Sequence, residues 1–177
     1  AQVDDLTGIV EGLLELARLE GGGPALKLKE VSATALADAV LARLAPQIER
    51  AGVTVVTSFP VDLALVLGDQ GRLEQVLTNL LHNAVKFTAR GGRIEVAAQA
   101  SGAEVVFTVK DTGVGIAAED LPRIFERFYK ADRSRASGGT GLGLSISKHI
   151  IQAHGGRIWA ESRVGVGTTF HFTVPRA

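Results

Sequence analysis

The stretch LEQVLTNLLHNAVKF at residues 73–87 carries two stripes at helical spacing. Leu73, Val76, Leu77, Leu80, Leu81 and Ala84 recur every three or four residues, so they share one face of a helix and need a core to cover them. Asn79, Asn83 and Lys86 recur at four and three on a second face, which projects two amides and an ammonium from adjacent turns. Asp69 stands where an N-cap would start this helix, and the pattern carries it through about residue 87.

The polar stripe has two readings. It is the solvated face of an amphipathic helix, or it lines a site for a metal nucleotide. Mg²⁺ accepts a neutral Asn carbonyl as ligand while phosphates supply charge, and Lys neutralises those phosphates. Three downstream segments bear on the choice. In VVFTVKDTGVGI, residues 105–116, a strand runs into Asp111, and Gly113 and Gly115 then let the backbone turn tightly and approach a ligand. An ionised Asp accepts hydrogen bonds and donates none, so it can read the exocyclic amine of adenine but would face an oxygen in guanine. An Asp turn closed by glycines is the plainer reading of the same residues. In SGGTGLGLSISKHI, residues 137–150, glycines lead into a helix whose first N–H groups lack internal partners and attract phosphate. A flexible linker into a helix is the alternative there. Between the two, RIFERFYKADRSRASGG at 123–139 sets Phe125, Phe128 and Tyr129 as anchors for a cover, followed by Lys130, Arg133 and Arg135 within reach of a terminal phosphate, or as an ordinary solvated loop. Neither GxxxxGK followed by Ser or Thr nor GxGxxG occurs, which excludes the P-loop and the dinucleotide fingerprint.

Working outward, Ser32 is placed to cap a helix running to about residue 51, with Pro46 as a kink or break. Strands are expected at 25–31, 53–59, 64–67, 93–99, 104–110, 157–162 and 168–174, and a helix at 144–154 stopped by Gly155 and Gly156. Several of these strands are joined by turns too short for a helical crossover. The fold class that follows is a two-layer α/β sandwich with a mixed, mostly antiparallel sheet and three helices on one face. Ahead of it, Val3, Leu6, Val10, Leu13 and Ala17 alternate by three and four, the seam of a bundle or coiled-coil helix, ending at a Gly21-Gly22-Gly23-Pro24 joint.

Composition narrows the function classes. Hydrophobic residues make up 46% and charged residues 21%, a folding balance rather than a disordered one. Lys+Arg and Asp+Glu both number 19, and no basic stripe interleaves with aromatics, so nucleic acid is not an expected partner. With no cysteine there are no disulfides, thiolate metal sites or thiol catalysis. No apolar run is long enough to span a bilayer, so a cytoplasmic place is expected, with a membrane reached only through segments outside this sequence. Ala at residue 1 and the absence of Met suggest a piece of a longer protein.

Taken together, NxxxNxxK on a helix, DxGxG after a strand, FxxF, and GTGLGL before a helix resemble, in that order, the N, G1, F and G2 boxes of the histidine kinase ATPase family, and GVGTTFHFTVP at 165–175 resembles its closing glycine box and strand. The resemblance covers residues 25–175 and implies a Bergerat fold, with ATP between helices and sheet beneath a movable lid. It implies that residues 1–22 are the end of the second dimerisation helix, 23–24 a joint and 25–177 the ATP-binding catalytic domain. It further implies Asn83 as Mg²⁺ ligand, Asn79 and Lys86 at the phosphates, Phe87 beside the adenine, and Asp111 on the adenine amine in a pocket shaped by Gly113, Gly115 and Ile116. Backbone groups at Gly139, Thr140, Gly141, Leu142 and Gly143 would hold phosphates, with Tyr129, Lys130 and Thr169 completing the nucleotide site; Asn79 and Lys130 are the catalytic candidates. Lys130 stands where the family often has Arg, and offers charge without a bidentate fork. The family's phosphoacceptor histidine lies on a helix preceding residues 2–20 and is missing here, so this chain alone is not expected to autophosphorylate. His82, His149, His154 and His171 read as structural or solvent-exposed.

The implied activity is a protein-histidine kinase of two-component signalling. Its implied partners are the phosphoacceptor domain of the same protein, a response regulator, and a second copy in a homodimer. Hydrolytic relatives carry Glu where this chain has Asn79, and Asn cannot take a proton from water. A non-catalytic ATP-sensing module and an anti-sigma-type serine kinase share the pocket; the heptad helix argues against the latter.

Overall fold

A computed structural model describes residues 2–131 and 138–177. Its elements in order are α1 (Gln2–Glu20), β1 (Lys29–Val31), α2 (Ala33–Ala51), β2 (Thr54–Ser58), β3 (Val66–Gly68), α3 (Gln70–Phe87), β4 (Arg93–Ser101), β5 (Glu104–Asp111), a 3₁₀ turn (Leu121–Arg123), α4 (Gly143–Ala153), β6 (Ile158–Arg163) and β7 (Gly167–Pro175).

The sheet has five strands in the order β2-β4-β5-β7-β6; β2 runs parallel to β4 and every other pairing is antiparallel. Alternation does the rest. Ile94, Val96 and Ala98 on β4, Val105, Phe107 and Val109 on β5, and Phe170, Phe172 and Val174 on β7 are buried, and their neighbours in sequence are mostly half-buried or exposed on the other face. Phe107 and Phe172 stack at 4.6 Å across the β5–β7 register pair. The apolar stripe of α3 meets this face, flanked by α2 and α4, so the architecture is the α/β sandwich that the sequence predicts. β1 and β3 form a separate two-stranded pair.

Both predicted caps are present. Ser32 Oγ accepts from the Ala35 N–H, and Asp69 Oδ1 accepts from the Arg72 N–H at 3.2 Å. His154 donates through Nδ1 to the Ile150 carbonyl and accepts the Asp69 N–H at Nε2, a structural role that pins the start of α3 to the end of α4. Two expectations are narrowed: Pro46, read as a kink or break, does not break its helix, and one strand is shorter than its pattern. The helix α2 runs through Pro46 without a break, because Pro46 and Ala42, whose carbonyl loses its amide donor, both face solvent. The strand expected at 25–31 shortens to Lys29–Val31, since its partner, β3, offers three register positions.

The helix α1 does not swing free of the joint. Its Leu16 is buried, and Gly8 and Gly12 lie against Thr140 and Leu142 at the start of α4, while Glu15 meets Arg72 and Gln75 and Glu20 meets Arg127. The predicted seam of Val3, Leu6, Val10, Leu13 and Ala17 faces the other way and is exposed. Among the described residues no helix is long and apolar enough to cross a membrane.

Candidate functional site

One cavity of about 550 Å³ lies between α3, the ends of β5 and β7, the loop after β5 and the chain entering α4. It gathers Asn79, Asn83, Lys86, Phe87, Asp111, Gly115, Ile116, Tyr129, Lys130, Gly139, Thr140, Gly141 and Gly143 around one hollow. Residues that sequence spacing placed on separate elements thus share a space of ligand size.

One end of it is buried and rigid. Asp111, 7% exposed, closes β5, and its Oδ1 accepts the N–H groups of Gly113 at 2.8 Å and Thr168 at 3.3 Å. Burial raises its pKa above the ordinary carboxylate value, and those two N–H groups only partly oppose the shift. No other hydrogen bond from the described residues reaches Oδ2, which stays available as an acceptor. The following loop is fixed from behind: the Ile116 N–H donates to Ser162 Oγ at 2.7 Å, and Ser162 in turn meets the Gly167 carbonyl and Thr168 Oγ1. Gly115 takes φ +75°, and a Cβ there would lie 2.2 Å from the Arg163 carbonyl, so only glycine fits. Phe87, Val114, Ile124 and Phe170 supply the apolar walls.

The opposite end is polar and more open. Lys86 Nζ donates to the Gly138 carbonyl at 2.7 Å and has two further N–H groups to offer. Its pKa is lowered, first by partial burial and then by the charge of Lys130. Two ammoniums that repel one another across a cavity are relieved by an anion between them. The helix α4 opens without a side-chain cap, leaving its first N–H groups unpartnered by side chains at the cavity wall. Gly141 takes φ +71° with its missing Cβ 3.0 Å from the Phe128 backbone, and Phe128 N–H donates to the Gly141 carbonyl. The segment of Phe125, packed edge-on against Phe170, and Tyr129, bonded to Asp120, is thereby tied to the glycine loop. Asn83 makes no side-chain hydrogen bond among the described residues, so its amide is uncommitted.

Some expectations change. Asn79 spends both amide N–H groups on α4, to the Gly143 carbonyl and Ser147 Oγ at 3.1 Å each. What remains is its oxygen, an acceptor suited to a cation or water rather than to a phosphate oxygen. Leu142 lines no part of the cavity: its N–H is taken by Thr140 Oγ1 and its side chain is buried under α1. Gly113 sits behind Asp111 as the donor to it. Thr169 pairs with Lys110 and Glu161 on the outer face of the sheet, so the cavity receives Thr168 instead. Strand parity decides between two adjacent threonines, and the register needed to read it comes only with the fold. Arg133 and Arg135 lie outside the described residues. The cavity wall also includes Gln47, which sequence reasoning did not single out, and His82, read as structural or solvent-exposed and exposed in the structure. His82 was open to detection, standing three residues after Asn79 on the same stripe.

Residues 68–177 match the family described as histidine kinase-, DNA gyrase B-, and HSP90-like ATPases. The chain belongs to this family. This ATPase chain is 38% identical over 176 residues to the sensor-like histidine kinase SenX3 of Mycobacterium tuberculosis, covering 98% of this chain and 43% of that protein. It superposes on full-length ShkA in complex with AMPPNP with a TM-score of 0.86 at 36% identity, covering 98% of this chain and 36% of that one. It superposes on the histidine kinase ThkA in complex with the response regulator TrrA with a TM-score of 0.82 at 28% identity, covering 99% and 48%. The ATPase chain spans less than half the length of the curated relatives it matches over nearly all its residues.

Proposed function

We propose that this chain is the nucleotide-handling part of a sensor histidine kinase: it holds Mg²⁺–ATP and presents the γ-phosphoryl group to a histidine on the dimerisation bundle of the same protein, for relay to an aspartate of a response regulator. The observation that carries this reading is the convergence of Asp111, Asn83, Lys86 and Lys130 on one cavity. Asp111 Oδ2 accepts the adenine amine, Phe87 and Ile116 wall the base, and Gly139, Thr140, Gly141 and Gly143 with the start of α4 surround the phosphates. Lys86 and Lys130 neutralise phosphate charge.

The donor set fits a hard cation. Asn83 offers an uncommitted amide oxygen, Asn79 offers its oxygen beside it, and triphosphate and water complete an oxygen shell. Mg²⁺ held there would spread the charge that develops on the transferring group. The protein's own contribution is positioning: the P–O bond to the departing ADP breaks as a P–N bond to the acceptor imidazole forms, in line. No carboxylate stands at Asn79 to activate water, which favours transfer over hydrolysis.

The exposed stripe of Val3, Leu6, Val10 and Leu13 supports α1 as part of a dimerising bundle, its partner a second copy. The likeness to ThkA, solved with a response regulator, supports the same partner class here. The test is labelling in trans. With γ-labelled ATP and a separate dimerisation domain carrying the acceptor histidine, label appears on that histidine and passes to a response regulator; absence of label on any such bundle, while ATP is bound, contradicts the kinase reading.

A further inference from the structure

The stripe of α3 that faces the cavity includes a fourth residue. His82 follows Asn79 by three positions and precedes Asn83 by one, and it lines the cavity together with Gln47 of α2. At about 100° per residue it occupies the edge of the stripe farthest from the buried Leu73–Leu80 face. Its Nε2 lies 2.8 Å from Gln47 Oε1. One turn earlier on α2, Arg43 pairs with Glu74 of α3, a second polar contact between the same two helices.

That contact settles what the imidazole can offer. The Gln47 carbonyl oxygen accepts, so Nε2 donates, and in the neutral ring Nδ1 keeps a lone pair. No described residue takes up Nδ1. A fully ionised phosphate has no proton to give a lone pair, whereas water on a divalent cation is a strong donor, and Mg²⁺ retains several waters.

We propose that His82, oriented by Gln47, is a positioning residue for the metal: Nδ1 accepts a hydrogen bond from a water on the cation that Asn83 holds. The inference rests on the Mg²⁺–ATP reading above and extends it to α2, a helix that otherwise has no part in the nucleotide site. Outer-shell partners of this kind orient ligands and typically contribute about tenfold or more in metal affinity.

The test measures ATP affinity by calorimetry with excess Mg²⁺ and with EDTA, and takes the ratio of the two. In the His82→Phe variant, which keeps an aromatic ring but has no ring nitrogen, the ratio falls by about tenfold while the EDTA affinity stays at the wild-type value. In His82→Asn, whose amide oxygen falls near the place of Nδ1, most of the ratio is kept; in Gln47→Ala it falls by less than in His82→Phe. An unchanged ratio in His82→Phe, an equal loss with and without metal, or a His82→Asn variant no better than His82→Phe each overturns the proposal. A wild-type protein whose ATP affinity ignores Mg²⁺ overturns the metal reading itself, and shows it before any variant is made.

Discussion

The two ends of the cavity are built on different principles. At the Asp111 end a buried carboxylate is held by two backbone N–H groups, and the loop behind it is pinned through Ser162, so the acceptor is aimed before any ligand arrives. At the Lys86 end the groups are long, partly exposed side chains and the uncapped start of α4, which respond to charge rather than to shape. On the proposed reading the difference is a division of labour: preorganised geometry would select the base, while pooled positive charge would take up the phosphates that follow it.

The largest expected effect comes from breaking the rigid end. Asp111→Asn keeps an oxygen for the Gly113 and Thr168 N–H groups and turns an amine toward the base, so affinity for ATP and for adenosine falls roughly 100-fold in titration. Because burial penalises the charged carboxylate, the same variant should melt no lower than wild type by calorimetry. The pH dependence has a definite sign. The folded pKa lies above the unfolded value, so the fold takes up a proton as pH falls through the raised value, gaining stability while ATP affinity declines; affinity that rises on acidification contradicts the assignment.

At the other end Asn83→Ala should cost about tenfold in affinity with Mg²⁺ and little in EDTA, a difference that titration in the two buffers reads directly. Lys86→Ala and Lys130→Ala should each lower affinity for ATP by about fivefold, progressively less as salt rises, and leave adenosine unaffected. The smallest effect separates two neighbours on β7: Thr168→Val weakens ATP binding about twofold to threefold through the loss of its hydroxyl, and Thr169→Ala leaves binding at the wild-type value.

The same contrast explains what could be read before folding. Ser32, Asp69 and the stripe of α3 were readable because caps and helical periodicity are local, settled within one or two turns. Asp111 with its glycines and the GTGLGL run were readable as candidates for a related reason, since a strand end and a helix start announce themselves in sequence. What escaped required two distant elements at once. The choice of Thr168 over Thr169 depends on the β5–β7 register, and Gln47 reaches His82 across 35 positions. Gly8 meets Thr140 and Gly12 meets Leu142, contacts that only the packing of α1 on the start of α4 reveals. Pro46 looks like a break because sequence does not reveal that Ala42, one turn earlier, faces water.

The central claim is that this cavity is an adenine-nucleotide site keyed by one buried carboxylate. Calorimetric titration of the wild-type chain with Mg²⁺–ATP and with Mg²⁺–GTP tests it most directly. The account predicts one ATP bound per chain and GTP weaker by at least about 100-fold, because guanine presents an oxygen where Asp111 needs a donor. Equal affinity for the two nucleotides, or no heat with either, would contradict it.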